Sequence, residues 1–403
     1  MEQSGIILEK SRRYRDLTTE TLSELVRTPS VSGSEKNIIR KLEGMLRAAG
    51  FEEVRIDGLG NLIGRIGRGS RKLAIDAHID TVDTGETNQW ERDPFSGEID
   101  GGWVHGRGAA DQKGGAAAMI TAGHILTELD YTGSFSLFFT FTIMEEDCDG
   151  LCWRYLIEEE KLVPELAVIT EPTDMGVYRG QRGRMELDIG FAGISAHGSA
   201  PERGDNAIYK AARAIGKIEQ LDGRLKGEEF LGKGTVAVTQ VSSGSPSLCA
   251  VPDRSRVHLD RRLALGENRD SVIGELEEIL SPELQKGEYR ITVPEYRVSS
   301  YLGTLFPQDM YFPTWIIPED HPLVQAGTET FALLFQEQPR TGKWTFSTNG
   351  VAVCGRHGIP TIGFGPGNEV YAHAPNERVP VDQLEKASAF YALLPFVLEQ
   401  FPV

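Results

Sequence analysis

Three apolar runs in this chain each end at residues suited to holding a cation. Residues 72–79 close on His78 and Asp80, residues 134–143 run straight into Glu145-Glu146, and residues 166–170 stop at Glu171. Short apolar runs of this kind, bounded by polar residues, read as buried strands. Side chains two apart on a strand face the same way, so an imidazole and a carboxylate leave the first run side by side. Between the runs, the alanine-rich residues 114–129 and residues 151–162 read as helices. Strands alternating with helices imply an α/β sheet, and such sheets gather their sites at the carboxyl ends of the strands.

The flanking segments extend this pattern. Residues 17–50 read as helices, with Ser32 and Glu35 placed as a capping box ahead of Ile38, Ile39, Leu42, Met45 and Leu46. Residues 53–56 and 61–66 read as strands. From 180 to 298 the rhythm changes: strand 185–191, helix 206–221, strands 235–241 and 256–265, helix 270–280 and strand 289–293. That βαββαβ order is the ferredoxin-like unit. It interrupts two stretches that share one sheet, so residues 180–298 are expected to form an inserted domain, with 1–179 and 299–403 building the other. A length of 403 residues agrees with two cores. After residue 315 the α/β pattern resumes, with a helix at 323–336, a strand at 361–364, Gly-Pro-Gly at 365–367, His373 and a final helix at 381–398.

Charge and cysteine usage narrow the partners. The net charge is −17, from 42 basic and 59 acidic residues, so nucleic acid and anionic membranes would be repelled and neither is expected as a partner. No stretch approaches the roughly 18 apolar residues of a membrane span, and the first residues lack the apolar centre of a signal peptide. Cys148, Cys152, Cys249 and Cys354 form no CxxC pair, which favours free thiols and a cytoplasmic location.

The candidate metal ligands are His78, Asp111, Glu146, Glu171 and His373, with Asp80 and Glu145 beside them. Singly, each has an ordinary reading. His78 suits a core histidine, Glu145-Glu146 a solvated strand end, Asp111 a helix cap after its glycine-rich turn, Glu171 a loop acid before Pro172, and His373 a surface loop. Their shared placement at strand ends along one sheet edge favours a metal site over five coincidences.

Six segments carry a resemblance. They are His78-Ile79-Asp80-Thr81-Val82, the run Gly106-Arg107-Gly108-Ala109-Ala110-Asp111-Gln112-Lys113-Gly114-Gly115, Glu145-Glu146, Thr170-Glu171-Pro172, Ser195-Ala196-His197-Gly198-Ser199 and His373-Ala374-Pro375-Asn376-Glu377. In order and spacing the chain resembles the acetylornithine deacetylase / succinyl-diaminopimelate desuccinylase / aminoacylase family of co-catalytic zinc amidohydrolases and peptidases, and in detail its YgeY-type members.

The resemblance implies a mixed-sheet, zinc-peptidase-like α/β catalytic domain with an inserted ferredoxin-like α+β domain that serves as lid and dimer contact. It implies two zinc ions per subunit, a site that cobalt or manganese also suits. His78 and Glu171 would bind one ion and Glu146 and His373 the other, with Asp111 bridging. Asp80 would hydrogen-bond His78 and fix its tautomer. Glu145 would be the general base that takes a proton from the metal-bound water and passes it to the leaving nitrogen. The peptide bond after Asp111 is expected to be cis. His197 would reach the partner subunit's site in a homodimer and stabilise the oxyanion. Arg262 would hold a substrate carboxylate, with Asn206 and the main chain of Gly365 also touching substrate. Plainer readings stand beside these four: a loop histidine, a surface salt bridge, a helix cap and a turn.

Two departures bear on specificity. Cys249-Ala250-Val251-Pro252 stands where many relatives carry an asparagine first, and Ser347-Thr348-Asn349-Gly350-Val351 lacks the arginine of the desuccinylase segment. Both argue against desuccinylase specificity. His105, His124, His258, His321 and His357 match no ligand motif. The expected activity is cleavage of an amide in a small carboxylate-bearing substrate, such as an N-acyl amino acid or a dipeptide. A ureido or carbamoyl C–N hydrolase on the same site is the alternative, and a non-catalytic dimeric binding protein is the reading from another class.

Overall fold

The computed structural model describes residues 2–401 except Glu283 and Lys286. Its larger sheet has nine strands in the order Glu53–Ile56, Leu62–Ile66, Phe135–Thr142, Arg71–His78, Leu166–Ile169, Thr361–Gly363, Val177–Gln181 and Trp315–Ile316, with Thr341–Trp344 also pairing with Val177–Gln181. The central pairings are parallel: Arg71–His78 lies between Phe135–Thr142 and Leu166–Ile169, and Thr361–Gly363 follows. Parallel central strands are buried on both faces, which is why these stretches read as continuous apolar runs rather than alternating ones. Because the three strands run the same way, the residues that follow them leave the sheet along one edge. His78, Glu145-Glu146 and Glu171 are therefore neighbours by topology.

Among the helices packed on this sheet are Gly114–Glu128 and Val381–Leu398, which lie against each other. The first is almost wholly buried, and its small residues permit close approach. A Cβ on Gly115 would stand 2.3 Å from the Thr170 hydroxyl. Sequence patterning missed Val177–Gln181, Trp315–Ile316 and Thr341–Trp344. These are short edge segments with polar or glycine residues, which carry no periodic signal.

The second sheet runs Thr235–Gly244, Arg254–Leu263, Gly183–Ala192, Tyr289–Thr292, all antiparallel. The strand order matches the ferredoxin-like unit. Met185, Leu187, Ile189, Val257 and Leu259 share a core of their own with Ala211 and Ile218 of helix Ala207–Asp222 and Leu276 of helix Arg269–Leu280. From Gly183 to Phe191 the strand alternates between buried and half-buried residues, as a strand covered on one face does. Tyr311–Phe312 adds a fifth strand against Met185 and Arg184, so chain beyond residue 298 still belongs to this sheet.

The capping box does not form. The Ser32 hydroxyl donates to Asp80 Oδ2 at 2.6 Å, and Glu35 Oε1 accepts from the main-chain N–H groups of Gly33 and Met144. Helix Lys36–Ala48 has no side-chain cap, because both residues are taken by loops at the strand ends. The four cysteines are free, and among the described residues no helix is long and apolar enough to cross a membrane.

Below the strand ends lies a buried polar network. Asp76 Oδ1 accepts from the hydroxyls of Thr140 and Thr142, and Asp76 Oδ2 accepts from Asn349 Nδ2 at 2.8 Å. Asn349 Oδ1 in turn accepts from Gly150 N. One amide thus ties the late 347–350 loop to the strand that carries His78. Replacing it leaves a buried acid short of a donor. Asn349→Ala is expected to lower stability by about 3 kcal/mol, read as a lower urea midpoint with an unchanged m value.

Candidate metal centre

The turn that delivers Asp111 is built on glycine. Gly106 and Gly108 have φ of 136° and 86°, and a Cβ on Gly106 would stand 2.6 Å from the carbonyl oxygen of Pro94. The Asp111–Gln112 peptide is cis, as the family resemblance implied. Glu377 closes the turn. This fully buried carboxylate accepts from Gly108 N, Ala110 N and Asp111 N at 2.9–3.0 Å and pairs with Arg107 Nη1 at 2.6 Å. Four residues upstream in the chain is His373, whose carbonyl oxygen lies 3.4 Å from Arg107 Nη2. Glu377 therefore fastens the Asp111 turn to the His373 loop. Sequence reasoning quoted Glu377 within a motif but gave it no role; its spacing from His373 was the available signal.

Asp111 stands between the two histidines. Its Oδ1 is 3.0 Å from His78 Nε2, and its Oδ2 is 3.4 Å from His373 Nε2. Glu171 Oε1 lies 3.3 Å from His78 Nε2, and Glu146 Oε2 lies 2.8 Å from His373 Nε2. Each imidazole thus has a carboxylate of its own and shares a third. Two groups can offer ligand atoms all within 4.8 Å of one another: His78, Glu145 and Glu171, and His78, Asp111 and Glu146. Glu145 Oε1, Glu146 Oε1 and Glu171 Oε2 are buried and meet no hydrogen-bond donor. Imidazoles, clustered carboxylates and orphaned buried oxygens together fit divalent cations.

Asp80 meets His78 through both its main chain and its side chain. His78 Nδ1 lies 3.0 Å from the main-chain oxygen of Asp80 and 3.5 Å from its carboxylate. The carbonyl is the nearer acceptor, and it sets the proton on Nδ1 so that Nε2 faces the cluster. The Asp80 carboxylate also accepts from Glu145 N at 3.2 Å and Glu146 N at 3.1 Å, holding the turn that carries both acids.

The electrostatics follow from burial and from crowding. Burial, and then the Asp111 charge, pushes Glu146 up to about 7 and Glu171 up to about 8. Burial raises Glu145 well above the carboxylate range, reinforced by Asp149, Glu171 and Glu146 and opposed by His78. Burial disfavours the charged form of His78, but Glu171 and Glu145 outweigh it and raise its pKa well above the usual value. Hydrogen bonds to Asp111 and Glu146 raise His373 to about 10. Burial works against ionising Asp111, but its bonds to His373 and His78 prevail and lower its pKa.

Asp111, Glu145, Glu146, Glu171, His373 and Arg262 line one cavity of about 330 Å³. Arg184 and Asp149, which sequence reasoning did not single out, line it too. Arg262 and Arg184 are directly opposite partners on adjacent strands of the second sheet. Asn206 is not brought to this cavity; its side chain accepts from Ile208 N at 2.9 Å and caps helix Ala207–Asp222. Gly365 is corrected as well. Its N–H is taken by the Thr173 hydroxyl at 3.0 Å, and a Cβ there would meet the Thr170 carbonyl oxygen at 2.1 Å. Gly365 lets its loop pack on the Thr170–Glu171 main chain and offers substrate no donor. His197 is exposed on the second sheet's side and does not line the cavity.

Two outcomes are expected. Glu377→Gln places an amide donor among N–H groups and loosens the Asp111 turn, lowering metal affinity by about 10–100-fold in a chelator competition assay. Protons and cations also compete for the cluster. Carboxyl groups raised to about 7 and 8 and a histidine raised to about 10 hold protons at pH 6 in the metal-free protein. Binding must release them, so affinity rises with pH and is expected to be at least about tenfold weaker at pH 6 than at pH 8.

Comparison with known proteins agrees with this geometry. The family description Peptidase family M20/M25/M40 matches residues 74–395. YgeY of Escherichia coli (strain K12) is 46% identical over 390 residues, covering 97% of this chain and 96% of that one. Acetylornithine deacetylase of Klebsiella pneumoniae (strain 342) is 30% identical over 378 residues, covering 89% of this chain and 91% of its own. Among solved structures, the aminopeptidase PepT of Bacillus cereus superposes with a TM-score of 0.73 at 20% identity, covering 96% of this chain and 99% of its own. The chain belongs to peptidase family M20/M25/M40 and is a metal-dependent hydrolase of amide or peptide bonds.

Proposed function

We propose that the protein cleaves an amide bond, N-acyl or peptide-type, in a small substrate bearing a carboxylate, with two zinc ions. The observation that carries this reading is Asp111, whose two oxygens face different imidazoles beside a cavity that also contains Arg262. His78 and Glu171 would hold one ion, Glu146 and His373 the other, and Asp111 both. When bound, such ions polarise a carbonyl and make water easier to deprotonate. Glu145 receives a proton from the attacking water and returns it to the leaving nitrogen. Its buried, partnerless Oε1 supports that role. The guanidinium of Arg262 suits a substrate carboxylate. The deacetylase and the aminopeptidase among the similar proteins support an amide as the bond cleaved.

His197 acts in this reading on a partner subunit's site. The protein would then be a homodimer through the inserted domain at 180–298, with 1–179 and 299–403 as the catalytic domain. The state of the ring supports the role. Nδ1 lies 3.1 Å from Ser199 N and 2.7 Å from Ser199 Oγ. A main-chain N–H can only donate, so Nδ1 accepts and the neutral ring carries its proton on Nε2, ready to donate to an oxyanion. Free thiols support a cytoplasmic location.

Elemental analysis is expected to find two metal ions per chain, and chelation to abolish turnover of N-acyl amino acids and dipeptides until zinc is restored. Glu145→Gln should keep the metal and lose about 10²–10⁴-fold in kcat. A metal-loaded protein that turns over neither substrate class, or a Glu145→Gln variant of full activity, would overturn the corresponding part.

A further inference from the structure

The turn that carries Glu145 and Glu146 is gripped from two sides by different parts of the fold. On the approach, Ile143 N donates to Asn61 Oδ1 and Met144 N to Glu35 Oε1, both at 3.1 Å, and the Asp80 carboxylate takes the next two N–H groups. On the exit, the partners come from the second sheet and its connections. Tyr296 OH donates to Asp147 Oδ2 at 2.8 Å. Gln308 Nε2 donates to the Asp149 carbonyl oxygen at 2.9 Å and lies 3.2 Å from Cys148 Sγ. The Asp149 carboxylate pairs with Arg184 Nη2 at 3.2 Å.

Tyr296 and Gln308 sit on an arm that leaves the second sheet and returns to it. Tyr289–Thr292 pairs with Gly183–Ala192 before the arm, and Tyr311–Phe312 pairs with the same strand after it. A short antiparallel ladder closes the base of the arm, with Tyr296 opposite Gln308 and Glu295 opposite Asp309. Its far end rests on the turn between Glu53–Ile56 and Leu62–Ile66 of the larger sheet. There the Tyr301 hydroxyl donates to the Gly60 carbonyl oxygen at 2.9 Å, and the Thr304 hydroxyl to that of Gly58 at 2.7 Å. A Cβ on Gly60 would stand 2.4 Å from the Tyr301 ring. Asp57 holds this turn by accepting from Leu59 N, Gly60 N and Asn61 N, and Asn61 passes the contact on to Ile143 N. Residues 295–309 therefore reach the Glu145–Glu146 turn twice, directly at 147–149 and through Asn61 at Ile143. Gln308 is fully buried, and its Oε1 accepts from Arg154 Nη1 at 3.3 Å, which orients the amide so that its donor meets the turn.

We propose that Gln308 and Tyr296 are positioning residues that aim Glu145 through residues 147–149, so that the seating of the second sheet governs the geometry of the general base. The role of Glu145 rests on the hydrolase reading above; the coupling rests on these bonds. A base that must stay within hydrogen-bond reach of a reacting water tolerates little displacement.

Two substitutions test the coupling. Gln308→Met keeps the length of the side chain and removes the donor, and Tyr296→Phe removes one hydroxyl from a half-buried site. In zinc-saturated protein, each is expected to speed hydrogen exchange of the amides at 143–150 while the strand at 71–78 stays protected. Turnover of N-acetyl amino acids or dipeptides is expected to fall about tenfold in kcat, with KM within about twofold of wild type. In a Glu145→Gln background the same substitutions are expected to lower the residual turnover no further, since they act through the group already removed. A purely structural role would give the same loss with and without Glu145. Unchanged exchange at 143–150, an unchanged kcat, or an equal loss in the Glu145→Gln background overturns the proposal. Faster exchange at 143–150 in a protein whose zinc-loaded wild type turns over neither substrate class sustains the coupling and counts against the hydrolase reading alone.

Discussion

The arrangement of this protein depends on one constraint: several largely buried carboxylates are held close together at one edge of a sheet. At about 4 Å, like charges repel by roughly 4 kcal/mol per pair at the effective dielectric of a protein near its surface. Asp111, Glu145, Glu146 and Glu171 can stay ionised together only with opposing charge, and two imidazoles supply only part of it. The three buried oxygens that meet no donor belong to three of these acids. Divalent cations are the economical answer to such a pocket, and burial together with the crowding explains why Glu145, Glu146 and Glu171 hold protons so firmly without them.

Two further acids keep the pocket in shape without entering it. Glu377 uses both oxygens on the main-chain N–H groups of the Asp111 turn and on Arg107, and Asp80 uses both on Glu145 N, Glu146 N and Ser32. Each converts a loop into a fixed support. The ligand side chains are then presented by rigid backbone, as a site needs when small displacements are costly.

The two sheets divide the work. The parallel sheet brings the cation-holding residues to one edge, because successive strands point the same way. The antiparallel sheet contributes Arg184 and Arg262, paired across adjacent strands on its half-buried face. The cavity is thus lined from both sheets, whereas the cluster itself sits at the edge of one.

Periodicity and composition were enough to read the central strands, the long helices, the βαββαβ order and the residues at the strand ends, because burial writes itself into the local pattern. His78, Glu145, Glu146 and Glu171 were legible for that reason, and Asp111, His373 and Arg262 through the motifs that carry the family resemblance. The edge strands at Val177–Gln181, Trp315–Ile316 and Thr341–Trp344 were not legible, since their pairing partners are distant and their faces mixed. Tertiary contacts alone decided that Ser32 and Glu35 serve strand-end loops rather than a helix cap, that the Asp80 carbonyl rather than its carboxylate is the nearer acceptor for His78, that Gly365 fills space, and that Asn206 caps a helix. They also decided the role of Glu377, whose meaning lies in which donors it meets. Sequence determines which groups are available at the ends of buried segments. Which of them share a proton, a backbone donor or a cavity depends on separations across the fold, and no local pattern encodes those.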